Sequence, residues 1–406
     1  MPIRNKQVKK ETRVDKIISR NRIGRSKSTE LTGCGKPKHT GDAAQVSSLC
    51  VSQARRATNP SESNQKETRE VIPSVFIPVS DKNWKALMPC HPARARELIS
   101  KGKAKVQHLK GFFFVKLLDR EDGKVQDICV GIDPGSKREA FTVKSEYHTY
   151  LNILANAVTW VKDAVETKRN MRRSRRQRKT PCRANKYNRN RSPFPPSTKS
   201  RWQWKLRIAR FLAKLYPITD FVVEDVSATT KKNCNKWNIS FSPLEVVKNC
   251  FYDELGKLGN LETKKGYETK QERDKLQLKK TSSKLEDVFS AHNVDSWVLA
   301  NCLIGGHATP DNQAIIRMIP LQFSRRQLHR LQFSIGGVRN RYGGTKSGKY
   351  TRGMLVKHKK YGLSYVGGYG KDVGISLHNL HDAKRLCRNA KDKDIEVVCF
   401  NNWRHY

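Results

Sequence analysis

Asp127-Ile128-Cys129-Val130-Gly131-Ile132-Asp133-Pro134-Gly135-Ser136 decides the fold. Ile128 to Ile132 is a nearly continuous apolar run, as in a central strand covered on both faces. It stops at an aspartate followed by Pro134 and Gly135, which turn the chain. Phe141-Thr142-Val143 predicts a return strand and Tyr150 to Val158 a third. A second run of the same kind, Phe221-Val222-Val223-Glu224-Asp225-Val226, again ends in acid. Ala291-His292-Asn293-Val294-Asp295 then opens a helix, reaching Ala300, with an apolar stripe at Val294, Trp297 and Val298.

Three strands in succession, then helices, then another buried strand, is the order of an RNase H-like α/β core. Upstream, Val75 to Val79 predicts a short strand, His91 to Lys101 a helix with Pro92 in its first turn and Gly102 ending it, and Val106 and Phe112 to Leu118 further strands. Between the two acid-tipped strands the chain turns helical from Val161 and then strongly basic. No acidic residue occurs between Lys168 and Arg210. Arg169, Arg172, Arg173, Arg175, Arg176 and Arg178 crowd a helix whose like charges repel at i,i+4, which makes sense where phosphates line it. Pro193 to Thr198 reads as a connector, Arg201 to Leu215 as a helix, Leu244 to Leu258 as another, and Lys270 to Lys284 as a polar, charged stretch. After Gly305 short strand-like segments alternate with glycines, as in a small β domain.

Composition points the same way. The 406 residues suggest roughly two or three domains. They carry 81 Lys+Arg against 37 Asp+Glu, a formal net charge of +44. Such a chain repels itself unless it meets a polyanion, and nucleic acid supplies one through counterion release. No amphipathic helix with a clean apolar face accompanies the charge, which disfavours a membrane surface. The ten cysteines contain no CxxC pair, so no zinc ribbon is expected, and free thiols of a reducing compartment fit better. No apolar run of about eighteen residues and no apolar leader segment is present. Residues 1–74 are polar and basic with almost no aromatic residue, and are expected to be a disordered extension.

Hydrolysis of a phosphodiester needs a deprotonated water and charge stabilisation on the attacking and leaving oxygens. Two magnesium ions supply both, and magnesium takes hard carboxylate oxygens. Asp133, Glu224 and Asp295 are the candidate ligands, each placed by apolar neighbours. His292, three residues before Asp295, is expected on the same helix face, placed to orient or deprotonate the attacking water. Asp225 comes directly after Glu224 and points to the opposite side of its strand.

Several motifs, in order, resemble the IscB and IsrB proteins of bacterial insertion sequences. Leu87-Met88-Pro89-Cys90 through Arg96 resembles their opening PLMP module, with Ala86 where a proline, read as a loop proline, normally stands. Gly131 to Lys137 resembles their first RuvC motif, Val223-Glu224-Asp225 the second and Ala291 to Asp295 the third. The Arg-rich stretch resembles their bridge helix; Arg178 to Arg183, Pro195 to Thr198 and Arg201 to Arg207 resemble the segment after that helix. Gly336 to Thr345, with Arg339 and Arg341, resembles their C-terminal module. No histidine lies between Glu224 and His292; with Trp237 to Pro243 and Gly266 to Thr269, this resembles the IsrB branch, which lacks the second, HNH nuclease.

The resemblance implies a 75–125 PLMP module, RuvC part I at 126–160, a bridge helix at 161–180, RuvC parts II and III at 181–304 and a β-rich domain at 305–406 that contacts RNA and a target-adjacent motif. It implies an RNA-guided endonuclease, using Mg2+ with Mn2+ as substitute, that nicks one strand of target DNA, the non-target strand by analogy. Arg94, Arg96, Arg169, Arg172, Arg173, Arg175, Arg176, Arg178, Arg183, Arg201, Trp202, Arg339 and Arg341 are its expected nucleic-acid contacts. A monomeric ribonucleoprotein with guide RNA, in the bacterial cytoplasm at the nucleoid, is the expected state. Two other readings stay open: a guide-free structure-specific nuclease, and a non-catalytic nucleic-acid-binding protein.

Overall fold

The computed structural model describes residues 76–178, 194–227, 242, 244–283, 286–322, 331–332, 337–338, 346–347, 350–370 and 374–406. The 1–74 extension, Arg183, Arg339, Arg341 and nearly all of the Trp237–Pro243 and Gly336–Thr345 segments lie outside the described residues.

The chain first builds a four-stranded sheet from β1 (Ile77–Ser80), β2 (Ala86–Cys90), β3 (Ala104–Leu109) and β4 (Phe112–Leu117), in the order β2-β1-β4-β3. Helix α1 (Pro92–Ser100) covers it, with His91 Nδ1 accepting from the Ala93 amide as the cap. Ile77, Val79, Leu87, Ala95, Ala104, Val115 and Leu117 close a small core. Ala86 opens edge strand β2, pairing with Ser80, rather than lying in a loop. An edge strand tolerates proline or its absence, so this departure from the motif costs little.

The central element is a mixed seven-stranded sheet. β5 (Cys129–Asp133), β6 (Arg138–Lys144) and β7 (Thr149–Asn156) form an antiparallel meander. The chain then runs through α2 (Trp160–Gln177) and α3 (Pro196–Leu215) and returns as β8 (Asp220–Asp225), parallel to β5. α4 (Lys248–Gly256) leads into β9 (Asn260–Lys265), parallel to β8. Pro196 to Thr198, expected as connector, form the first turn of α3, where proline needs no amide partner. β9 has a charged sequence, Asn-Leu-Glu-Thr-Lys-Lys, which local pattern does not mark as a strand; it forms because it closes the sheet edge beside β8. α5 (Gly266–Lys275), α6 (Phe289–His292) and α7 (Val294–Ile304) come next.

β10 (Ile315–Pro320) pairs parallel with β7, and the last strand of the chain pairs antiparallel with β10. So the segment after Gly305 contributes two strands to the central sheet, while the intervening chain forms a sheet of its own. Two short pairs come first, β11 (Leu331–Gln332) with β12 (Gly337–Val338) and β13 (Lys346–Ser347) with β14 (Tyr350–Thr351). β15 (Leu355–His358), β16 (Gly362–Gly370), β17 (Gly374–His378), β18 (Arg385–Ala390) and β19 (Ile395–Cys399) then form an antiparallel sheet in the order β18-β17-β16-β15-β19. β20 (Trp403–His405) is the closing strand of the central sheet.

The period-2 alternation of the central strands sorts the side chains onto two faces. Val130, Ile132, Phe221 and Val223 meet Trp202, Ile208, Leu212, Phe251 and Leu255 of α3 and α4. Cys129 and Val222 meet Leu299 and Ala300 of α7 on the other face. Trp204, Trp297 and Trp403 are fully buried, and each such large apolar side chain contributes about 1.5–3 kcal/mol. Among the described residues no helix is long and apolar enough to cross a membrane.

Candidate metal centre

The same alternation builds the site. Counting along β5, Cys129, Gly131 and Asp133 share the α7 face; along β8, Val222 and Glu224 do. Both acids stand at the carboxyl ends of parallel neighbours. α7 lies across β5, β6 and β8 and supplies Asp295 from its first turn, where the helix dipole favours an anion. The approach is close because Gly131 has no side chain: a Cβ there would stand 1.9 Å from the Ser296 carbonyl oxygen. Asp133, Glu224 and Asp295 each bring an oxygen to within 4.8 Å of the others. Asp225, one residue on, faces α4 instead and accepts from Lys248 Nζ at 2.8 Å and Tyr252 Oη at 3.0 Å.

The electrostatics are those of a crowded acid cluster. Burial pushes Asp133 up to about 6, Lys280 opposing and Asp295 adding to the rise. Burial pushes Glu224 up to about 7, with the charges of Asp133 and Asp295 adding to it. Two cations answer Asp295: Arg273 Nη1 donates to Oδ1 at 2.6 Å and Lys280 Nζ donates to Oδ2. Three carboxylates against two cations leave one negative charge in a half-buried pocket. An all-oxygen donor set of this charge fits a hard divalent cation such as Mg2+. Gly266, the first residue of α5, sits against Glu224, so that a Cβ there would come within 2.8 Å of Oε1.

His292 is not part of this group. It ends α6, and Asn293 separates it from α7, so His292 and Asp295 do not share one continuous helix face. The break has a cause: Asn293 is buried and donates from Nδ2 to the Ile153 carbonyl at 3.2 Å. His292 Nε2 lies 2.7 Å from Arg138 Nη1. A guanidinium only donates, so Nε2 accepts there only as the Nδ1–H tautomer; the same atom lies 3.0 Å from the Glu286 carbonyl oxygen, to which it could donate only as the other tautomer, and Arg138 also reaches Asp287 at 3.0 Å.

The loop after Asp133 is braced from α3. Arg201 donates to the Ser136 carbonyl at 2.6 Å. Lys205 Nζ meets Glu139 Oε1 at 2.8 Å, both side chains wholly buried. Burial raises the Glu139 pKa against the pull of Lys205. Arg201 is thus committed at least in part to the fold. Trp202, expected at nucleic acid, is 3% exposed and donates its indole N–H to the Val246 carbonyl. It belongs to the core because it falls on the apolar stripe of α3 with Ile208, Ala209 and Leu212.

The Arg-rich half of α2 is different. Trp160 and Val161 pack on the core, while Arg169, Arg172, Arg173, Arg176 and Arg178 are exposed; the Arg175 side chain lies outside the described ones. Arg94 and Arg96 are exposed on α1, Arg94 paired with Glu97 at 2.7 Å.

Comparison with known families bears on this arrangement. Residues 77–240 match the RRXRR protein family model. The matched span holds Asp133, the Arg-rich helix and Glu224, and ends before His292 and Asp295. Arg172-Arg173-Ser174-Arg175-Arg176 spells the motif of that name. No curated protein matches the chain.

Sequence reasoning found the three acids but missed Arg138, Glu139, Lys205, Gly266, Arg273 and Lys280. Lys205 was detectable as a lysine on an apolar helical stripe. Lys280 was not, since it is one of two adjacent lysines in a polar, charged stretch.

Proposed function

We propose that this protein is an RNA-guided, divalent-metal-dependent DNA endonuclease with an RNase H-like, RuvC-type core, and that its single centre nicks one strand, the non-target one. The observation that carries the reading is the convergence of Asp133, Glu224 and Asp295, remote in sequence, to within 4.8 Å. The sheet order β7-β6-β5-β8-β9, with β6 antiparallel to both neighbours and β8 and β9 parallel to β5, supports the RNase H-like reading. The RRXRR match fits the resemblance to IscB and IsrB proteins. The formal net charge of +44 and the exposed arginines of α2 suit a guide RNA and its heteroduplex, gripped through phosphates.

Asp133, Glu224 and Asp295 would hold the metal. Bound Mg2+ supplies water activation and charge stabilisation at the phosphate. The carboxylates fix where that charge sits and must be ionised to do so; burial raises Asp133 and Glu224 in the metal-free chain, and a bound cation would oppose that rise. His292 is the candidate proton acceptor, and its contact with Arg138 would have to open for that role.

The test uses the full-length protein. RNA that co-purifies with it is sequenced, its guide segment is redirected to a supercoiled plasmid with a randomised flank, and nicked circles are counted. Nicking is expected with Mg2+, and none with EDTA or with Asp133→Ala, while RNA retention stays unchanged. Nicking by Asp133→Ala at the unmodified rate would remove the site assignment.

A further inference from the structure

The segment between α5 and α6 carries a lysine that the proposed chemistry does not require. Leu276 and Leu278 pack against Phe289, Val294, Trp297 and Val298. The Leu278 amide donates to the Arg273 carbonyl at 3.1 Å, and the Thr281 amide to the Ser290 carbonyl at 3.0 Å. The backbone is therefore anchored on both sides of Lys280. Its ammonium donates to Asp295 Oδ2. The negative charges of Asp133 and Glu224 act on it as well as that of Asp295. Its side chain is 35% exposed, against 8% for Asp295.

Asp295 thus has two cations of unlike kind. Arg273 is a rigid fork only 16% exposed. Lys280 is a point charge on a flexible four-carbon stem with a path to solvent. A divalent ion seated among the three carboxylates would meet the ammonium at short range, where like charges repel strongly at the effective dielectric of a half-buried site. One of the two has to leave, and the lysine is the one able to swing out.

We propose that Lys280 is a tethered counter-cation that occupies the acid cluster when no divalent ion is bound and exchanges with that ion when it binds. The inference rests on the metal-centre reading above and adds a residue that sets the affinity of the site. It offsets part of the negative charge of the metal-free cluster and makes metal binding weaker than the three carboxylates alone would give.

The experiment measures Mn2+ binding to the full-length chain freed of RNA, by the electron paramagnetic resonance signal of free Mn2+. Lys280→Met is expected to bind at least about tenfold tighter than the unmodified chain, with Lys279→Met unchanged. Asp133→Asn is expected to lose this site. Equal or weaker binding by Lys280→Met, with loss in Asp133→Asn, would overturn the role of Lys280 and leave the metal centre standing. Unchanged binding in Asp133→Asn would overturn both. Should Lys280→Met fail to fold, amine acetylation of the unmodified chain followed by mass spectrometry decides: adding Mn2+ should speed labelling of Lys280 and not of Lys279, and no change at Lys280 would refute the exchange.

Discussion

Asp133→Asn should abolish cleavage and yet stabilise the metal-free protein at alkaline pH. Asp133 is lifted from 3.8 to about 6 in the folded chain, so ionising it there costs about 3 kcal/mol relative to the unfolded chain. Proton binding sets the sign. The folded state holds this proton more tightly, so its contribution is fully present below about pH 4 and is lost as pH rises through about 6. An asparagine does not titrate and escapes the loss. It also relieves Glu224, on which the Asp133 charge acts, although the amide must find its own partners. Urea unfolding in EDTA should show the variant more stable by about 2–3 kcal/mol at pH 8, by roughly half of that at pH 5, and by almost nothing at pH 3. Adding Mg2+ should close the gap at pH 8, because only the unmodified site gains binding energy, about 2.7 kcal/mol at a hundredfold excess over the dissociation constant, and should reverse the order at a thousandfold excess, about 4.1 kcal/mol. An equal stability difference between variant and unmodified chain at pH 5 and pH 8, or an unmodified chain that gains on the variant as pH rises, would refute the argument that burial makes the ionised Asp133 costly.

Gly131→Ala should destabilise the protein by about 3 kcal/mol or more in urea unfolding, because the new methyl meets the backbone of α7 rather than a movable side chain; a neutral outcome would mean that α7 does not dock as described. Gly266→Ala should leave stability within about 1 kcal/mol but weaken Mn2+ binding, since the group displaced is the Glu224 carboxylate itself; unaltered metal binding would contradict the placement of α5. Lys205→Met should cost about 3–5 kcal/mol by stranding Glu139, and Glu139→Gln added to it should restore most of that in the same assay. Replacing Arg172, Arg173 and Arg176 together by glutamine should weaken RNA binding and flatten its salt dependence by about 0.7 in the log–log slope for each lost single-strand phosphate contact, with an unaltered slope excluding α2 from the interface.

The acid-tipped strands were legible because burial on both faces leaves an unbroken apolar run, and a terminal carboxylate stands out against it. Asp225 could be set aside for the same reason: strand alternation alone sends it to α4. The approach of α7 was legible only as a helix with an apolar stripe. Its break at Asn293 depends on a sheet carbonyl, Ile153, contributed from far upstream in the chain. β9 and α5 were missed because their residues are charged and their stability comes from non-local partners with no local signature, β9 from pairing with the edge of β8 and α5 chiefly from packing on α7. β10 and β20 were read as part of a separate β domain for a related reason, since parallel pairing to β7 spans more than one hundred and fifty residues and leaves no mark in period or turn chemistry. Trp202 shows the opposite error. The basic neighbourhood around it suggested a stacking surface, but its position on the stripe shared with Ile208 and Leu212 already pointed inward.

Charge is divided in this molecule between two tasks that act at different ranges. The arginines of α2 lie outside the core, where on the proposed function they would raise local polyanion concentration and respond to salt over about 10 Å. The carboxylates lie at the sheet end with Arg273 and Lys280 at hand, so that the pocket is negative within a strongly positive chain. On the proposed function, a field of one sign would draw in the strand, and a spot of the other sign would retain the ion that the strand's phosphate needs. Substitutions in α2 should therefore move affinity and its salt slope with metal binding unchanged. Substitutions among Asp133, Glu224 and Asp295 should move metal binding and cleavage with RNA affinity unchanged. The two effects separate because Debye screening decouples exposed charges from a half-buried cluster, and a variant of α2 that shifted Mn2+ affinity in physiological salt would show that the helix lies closer to the acids than this division of labour allows.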